Sequence, residues 1–229
     1  MRRDPLPQDV AVSFINKDYA MKDIDELARC VVRGKDKDAN KLAEQLLAQG
    51  TPAETILDEG LLKGMEEVGR LFGANEIFLA EVLIAARAMK AGMRVLEPAL
   101  ATSRLRFKGK VILGTVKGDL HDIGKNIVAI MMQGAGFEVI DLGADVPIER
   151  FVEAVKEHAP LALGMSALLT TTMVIMGDVV QAIDEAGLKP RTKIIVGGAP
   201  LTKAFASEIG ADAFCASAPA GVDFVKTLL

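Results

Sequence analysis

Tryptophan is absent from the 229 residues and tyrosine occurs once, so the chain has almost nothing with which to stack nucleic-acid bases. A formal net charge of −4 removes a second route to nucleic acid, because phosphate neutralisation needs a basic face. The two cysteines, Cys30 and Cys215, lie far apart, which excludes a disulfide framework and a CxxC pair and suggests a reducing compartment. Long apolar runs are missing as well. The longest, residues 161–169, is far too short to span a bilayer, and Met1-Arg2-Arg3-Asp4-Pro5 has no apolar signal core. The expectation is a soluble, cytoplasmic protein with no nucleic-acid or membrane partner. Histidine is scarce too, with only His121 and His158. Structural zinc usually takes four protein ligands and catalytic zinc three, so an ordinary zinc site cannot be assembled.

What remains is a globular composition, half apolar and a quarter charged, long enough for one or two cores. Residues 1–22 contain two prolines and no sustained period, and read as a tail. Over 23–100 the period is helical. Ile24, Leu27, Ala28, Val31 and Val32 mark a first helix ended by Gly34, and Ala39 to Leu47 a second closed by Gly50. Thr51-Pro52-Ala53-Glu54 reads as an N-cap, a proline at the first helical position and an acid at the third. A third helix follows from Ile56 to Leu71, and a fourth carries Val82, Leu83, Ala86, Met89, Met93 and Leu96 before stopping near Pro98. Four helices with short connections predict a small antiparallel bundle. Residues 101–109 are basic and aperiodic, a linker.

From 110 to 229 short apolar runs alternate with helical segments. Strands are expected at Val111–Val116, Glu138–Asp141, Leu161–Met165, Ile194–Val196 and, weakly, Ala213–Cys215; helices should start near Lys125, Pro147, Thr171, Leu201 and Ala220. This alternation predicts an α/β domain with a five-stranded parallel doubly wound sheet, flavodoxin-like or Rossmann-like, with right-handed crossovers.

The first strand runs into Gly118-Asp119-Leu120-His121-Asp122-Ile123-Gly124-Lys125-Asn126 and then a helix. A strand-to-helix loop of this kind is where open α/β sheets place ligands. His121 can ligate a metal, with Asp119 accepting the second ring N–H and fixing the tautomer. Gly118 and Gly124 free the backbone for a sharp turn and a close approach. A loop histidine with a local carboxylate contact and no metal is the competing reading. His158, beside Glu157 and Pro160, reads as a surface residue at a helix end. If His121 binds metal, the other coordination positions must come from a macrocycle, with haem and a corrin as the options.

The run from Gly114 to Val128 resembles the cobalamin-binding signature Asp-x-His-x-x-Gly, in the form found in methionine synthase and in small corrinoid proteins of methyltransferase systems. Ser166-Ala167-Leu168 resembles the Ser-x-Leu element after the third strand of that family, and Gly197-Gly198 the Gly-Gly element after the fourth. Val68 to Phe72 and Glu76 to Val82 are similar to the helical cap of the same proteins. The resemblance covers roughly residues 23 to 228. It implies an N-terminal four-helix cap followed by a cobalamin-binding α/β domain.

The cofactor so implied is cobalamin, as methylcobalamin or a related corrinoid, with His121 as the lower axial ligand to cobalt in place of the cofactor's own base. The resemblance also assigns Gly118, Asp119, Asp122, Ile123, Gly124, Ser166, Leu168, Thr170, Gly197 and Gly198 to cofactor binding, with Thr170 toward the nucleotide tail. Small residues at Gly114, Gly164, Ser166, Gly197 and Gly198 leave room for that tail. Asp119, His121 and Thr172 match the family's ligand relay, with threonine where methionine synthase has serine. Phe72 and Leu79 match residues that shield the upper face of cobalt, and Ala80 stands where the family often has proline. Mutase-type isomerases commonly carry arginine at the position of Ile123, and cobalamin light sensors add a DNA-binding module and a tryptophan-containing cap. The implied function is a methyl carrier that accepts a methyl group on Co(I) from a substrate-specific methyltransferase and delivers it to a second methyltransferase using a folate or thiol acceptor. The carrier itself is not catalytic alone. A reductive activator is a third implied partner. A cobalamin-dependent sensor or storage protein is the alternative.

Overall fold

The computed structural model describes residues 21–102 and 107–229. The tail expected over 1–22 lies outside them up to residue 20, and so does the linker expected over 101–109 at residues 103–106. The chain divides into two compact units, with the division between Leu105 and Arg106.

The first unit is helical. Helix α1 covers 21–32, and α2 covers Asp36–Ala48. A short α3, Ala53–Thr55, continues through a π-helical stretch, Ile56–Leu62, into α4, Lys63–Gly73. The long α5 is Leu79–Thr102. Buried apolar positions at Leu27, Val31, Ala39, Leu46, Ile56, Leu61, Val68, Val82 and Leu96 come from every one of the longer helices. Gly60 and Gly64 let α1 approach closely, since a Cβ on Gly60 would lie 2.8 Å from the Leu27 side chain and one on Gly64 2.8 Å from Val31.

Three local expectations change here. Pro52 is extended (ψ 136°) and precedes α3, so Thr51 is not the N-cap and the helix starts one residue later than its proline suggested. The wide π-helical turn was not foreseen. It lies within the run that was read as ordinary helix. Helix α5 passes through Pro98 and reaches Thr102. A proline deletes one i→i−4 donor and crowds the preceding turn, but the residues after it keep helical backbone here.

The second unit contains five strands in the order β2-β1-β3-β4-β5, all parallel: β1 Lys110–Thr115, β2 Glu138–Asp141, β3 Ala162–Ser166, β4 Lys193–Gly197 and β5 Ala213–Phe214. The connections carry α6 Ile123–Gly134, α7 Ile148–His158, α8 Thr170–Met173, α9 Ile175–Glu185 and α10 Lys203–Glu208, and α11 Ala218–Lys226 ends the chain. The α/β architecture is the one expected, with boundaries shifted by a residue or two. The last helix starts earlier than expected because Ser217 caps it, accepting the Ala220 N–H, with Pro219 in the first turn. Within the expected linker, the Lys108 N–H donates to Gly136 O, tying the chain to the edge of this sheet before β1 begins.

The central strands are buried on both faces, as parallel strands between two helical layers must be. Ile112, Leu163 and Ile194 pack with Phe151, Met176 and Ile183 on one face. The order places a topological switch point between β1 and β3, so a crevice opens beyond their carboxyl ends.

Candidate functional site

Parallel register brings three distant sequence elements into one row. Thr115 pairs with Ser166, and Ser166 with Gly197, at the carboxyl edge of β1, β3 and β4. The loop after β1 sits at one end of that row, and the residues after Ser166 and Gly197 lie beside it. This is why elements about fifty and eighty residues downstream of the histidine loop belong to the same place.

Asp119 is the anchor of the loop, and it is fully buried. Its Oδ1 accepts the His121 N–H at 3.0 Å and lies 2.8 Å from His121 Nδ1. Its Oδ2 accepts the Leu168 and Leu169 N–H groups at 2.8 and 3.3 Å and the Thr172 hydroxyl at 2.7 Å. Burial alone pushes this carboxyl up. The N–H groups of His121 and Leu168, the Thr172 hydroxyl and the His121 ring outweigh burial and hold it well below the usual carboxylate range. An ionised carboxylate only accepts, so the proton between the two side chains belongs on Nδ1 and the lone pair on Nε2. The His121 side chain is 52% exposed while Asp119 is wholly covered, so the ring is held from behind and open at the front. Thr115, also buried, donates its hydroxyl to His121 O at 3.2 Å and fixes the far end of the loop.

Large apolar side chains of the histidine loop and of the segment after β3 reach the surface. Leu120, Ile123, Leu168 and Leu169 are all exposed. Thr170 opens α8 and is exposed, and Asp122 is the residue before α6, with its carbonyl accepting the Asn126 N–H. Next to the loop a cavity of about 530 Å³ is lined by Gly124, Val128, Gly164, Ser166, Ile195, Gly197, Gly198, Cys215, Ser217 and Gly221, among others. A Cβ on Gly124 would meet nothing within 4 Å. Gly198, at φ 139°, is a backbone requirement as well, because a Cβ there would overlap the carbonyl of Ala167.

The expected tail-slot glycines do not all face this cavity. Gly114 makes room for the Phe151 ring, 2.5 Å from where its Cβ would be, on the opposite face of β1. Strand side chains alternate, and residue 114 has the parity of Ile112 rather than Leu113. Of the other expected residues, the α/β unit gathers Gly118, Asp119, His121, Gly124, Ser166, Leu168, Thr172, Gly197 and Gly198 along this one edge. Phe72 and Leu79 belong to the helical unit, near the end of α4 and at the start of α5, each partly buried. His158 ends α7, 3.7 Å from Glu157, away from the loop in sequence and in element.

The sequence reading missed three neighbours of the site. Lys125, buried, pairs with both carboxylate oxygens of Asp141 at 2.5 and 2.6 Å and with Asn126 Oδ1 at 2.9 Å. Asp145 Oδ1 accepts the Gly118 N–H at 2.7 Å. Lys125 was visible inside the loop motif, but its carboxylate partner Asp141 ends β2, and nothing local in the sequence pairs the two.

No group of three or more His, Cys, Asp or Glu able to hold a metal ion occurs among the described residues. A metal at His121 must bring its other ligands with it. A flat, largely apolar macrocycle fits an exposed imidazole whose own loop and facing segment present exposed leucines and isoleucine, and the adjoining cavity suits an appended group.

Two regions of the chain match the B12 binding domain: residues 109–222, and residues 23–97 in a second form of that family. The chain is 47% identical to trimethylamine corrinoid protein 2 of Methanosarcina mazei, over 83% of this chain and 88% of that protein. It is 44% identical to dimethylamine corrinoid protein 3 of Methanosarcina acetivorans, over 89% of this chain and 95% of that one. A chain of the methanol:cobalamin methyltransferase complex of Methanosarcina barkeri has a similar structure, with a TM-score of 0.84 and 29% identity over 90% of this chain and 79% of that chain. Signature loop, fold and relatives agree: the chain belongs to the B12-binding corrinoid proteins.

Proposed function

We propose that this chain is the methyl carrier of a methylamine-dependent methyltransferase system, holding its cobalamin with the cofactor's own base displaced and His121 as the lower ligand. One observation carries the reading: a fully buried, ionised Asp119 holds the exposed His121 ring by Nδ1 at 2.8 Å. The relatives named for trimethylamine and dimethylamine support a methylamine as the donor class. When bound, the corrinoid supplies a cobalt ion that takes up and gives up a methyl group.

The residues of this chain set the terms. Asp119 keeps the ring proton on Nδ1 and fixes the orientation of the ring, which leaves Nε2 as the ligating atom. The Asp119 carboxylate behind the ring would balance positive charge at His121 or at a metal bound there. Thr172 and the Leu168 and Leu169 N–H groups hold the second carboxylate oxygen. Leu120, Ile123 and Leu168 would offer a bound corrinoid apolar surface from which water is excluded. Gly124, Ser166, Thr170, Gly197 and Gly198 are assigned to the nucleotide tail, and Phe72 and Leu79 to apolar cover of the cofactor. The proposed partners are a substrate-specific methyltransferase, a second methyltransferase serving a thiol or folate acceptor, and a reductive activator. The methyltransferase complex that contains a similar chain supports the first of these.

The test is electron paramagnetic resonance of the Co(II)-loaded protein. Nitrogen hyperfine splitting should be present, and His121→Ala should abolish it while corrinoid stays bound. A spectrum indifferent to His121→Ala overturns the ligand assignment. Methyl transfer from a methylamine in a reconstituted system checks the carrier role, and ligand-dependent oligomerisation without transfer overturns it.

A further inference from the structure

Asp145 lies in the connection between β2 and α7 at φ 55°, a left-handed conformation that side chains other than Asn and Asp seldom adopt. It is exposed, so packing does not hold it there. Two hydrogen bonds reach from it to the histidine loop. Its Oδ1 accepts the Gly118 N–H at 2.7 Å, and its own N–H donates to the Asp119 carbonyl at 3.0 Å. The flanking residues extend the contact: the Thr115 N–H donates to Gly143 O and the Val146 N–H to Thr115 O, each at 3.0 Å, and Val116 forms an isolated parallel bridge with Val146. Residues 143–146 therefore run alongside the histidine loop past the end of the β1–β2 ladder. Gly118 is itself left-handed, at φ 80°. Two left-handed residues in two loops are joined at the point where the chain turns into Asp119.

A turn of this shape needs only glycine or asparagine. The carboxylate adds an acceptor for Gly118, whose N–H is the last backbone donor before Asp119. We propose that Asp145 is a positioning residue for His121: it clamps the Gly118–Asp119 segment so that the ring is set in its ligating orientation before a cofactor arrives. The inference rests on the reading of His121 as the lower ligand.

Three substitutions separate the acceptor from the backbone. Asp145→Asn keeps both the left-handed tolerance and an acceptor oxygen. Asp145→Gly keeps the conformation and removes the acceptor. Asp145→Ala loses both. In the cofactor-free protein, amide exchange at Gly118 should quicken about tenfold in the Gly and Ala variants and stay near the unsubstituted rate in Asn. In the Co(II)-loaded protein, the fraction of cobalt showing nitrogen splitting should fall in the same order, with corrinoid affinity weakened up to about tenfold. A Gly variant that matches the unsubstituted protein in both measurements overturns the clamp, and it decides the matter even if the Ala variant fails to fold. The spectrum of the unsubstituted protein separates the two readings. If that spectrum lacks nitrogen splitting, the ligand assignment falls and this proposal falls with it.

Discussion

The two units bury different things. Among the described residues, every buried polar or charged side chain lies in the α/β unit: Thr115, Asp119, Lys125, Thr172 and Thr192. Among the described residues, the buried side chains of the helical unit are all apolar. Four of those five polar residues stand at the carboxyl edge of the sheet around His121, and only Thr192 lies at the other end, donating to Pro160 O at 3.1 Å. A buried charge without partners is costly, so it persists where something else requires it. The helical unit is built for shape and packing. The edge of the α/β unit is built around buried polar groups that hold the His121 ring from behind.

Asp119→Ala is the strongest way to break this contrast. It removes the acceptor shared by His121, Leu168, Leu169 and Thr172 and leaves buried donors unpaired, at a cost of about 3–5 kcal/mol. Residue-resolved amide exchange on the cofactor-free variant should show protection lost across the α/β unit and retained in the helical unit. Equal loss in both would mean that the buried carboxylate is not what distinguishes them. Acid gives a milder version of the same experiment. The folded pKa of Asp119 is depressed, so its stabilisation is fully present above the unfolded value, about pH 4, and is lost as pH falls from there toward the folded one. Residues around 115–122 and 167–172 should lose protection first on acidification, before the helical unit, whose described residues include no buried carboxylate.

A smaller effect tests the second buried charge. Lys125 and Asp141 are paired, yet only Lys125 is dry: its side chain is 2% exposed, against 39% for Asp141. Removing one partner is therefore not equivalent to removing the other. Asp141→Ala strands an ammonium in the interior and should cost about 3 kcal/mol or more, whereas Lys125→Met leaves a carboxylate that water can reach and should cost roughly 1 kcal/mol. Thermal unfolding of both variants measures the difference. Equal costs would show that the lysine is better solvated than its position indicates, and the contrast between the units would then rest on Asp119 alone.

The architecture was largely legible in the sequence because it is written in periods. Alternating apolar runs and helical segments marked the parallel sheet, and the motif loop lay where β1 hands over to α6. The convergence of Ser166 and Gly197 on His121 was legible only through the family resemblance. In physical terms it arises from strand register, which no local pattern records. Asp141 and Asp145 escaped for the same reason, since one reaches the motif from the end of the neighbouring strand and the other from the connection after it. Gly114 was read on the wrong face because glycines at the ends of strands look alike until the pleat assigns them a side. The π-helical turn at Ile56–Leu62 was hidden because one extra residue in a turn leaves the apolar spacing nearly intact. Pro98 misled in the other direction, since a proline weakens a helix without having to end it.

The smallest expected effect on stability comes from Gly124, and it sharpens the comparison most. Gly198 is glycine because its backbone angle and the Ala167 carbonyl require it. Gly124 has no such reason: it sits in the first turn of α6 with ordinary helical backbone and open space where a Cβ would be. Folding alone would favour alanine there, since glycine in a helix costs about 0.5–1 kcal/mol relative to alanine. Gly124→Ala should therefore leave thermal stability unchanged or raise it within that amount, while weakening corrinoid binding severalfold, because the added methyl occupies the mouth of the cavity beside His121. Isothermal titration with cobalamin, set beside the melting curve of the cofactor-free variant, reads both quantities. A variant that is more stable and binds as tightly as before would remove Gly124 from the site and leave His121, Asp119 and the cavity behind Ser166 to account for cofactor binding.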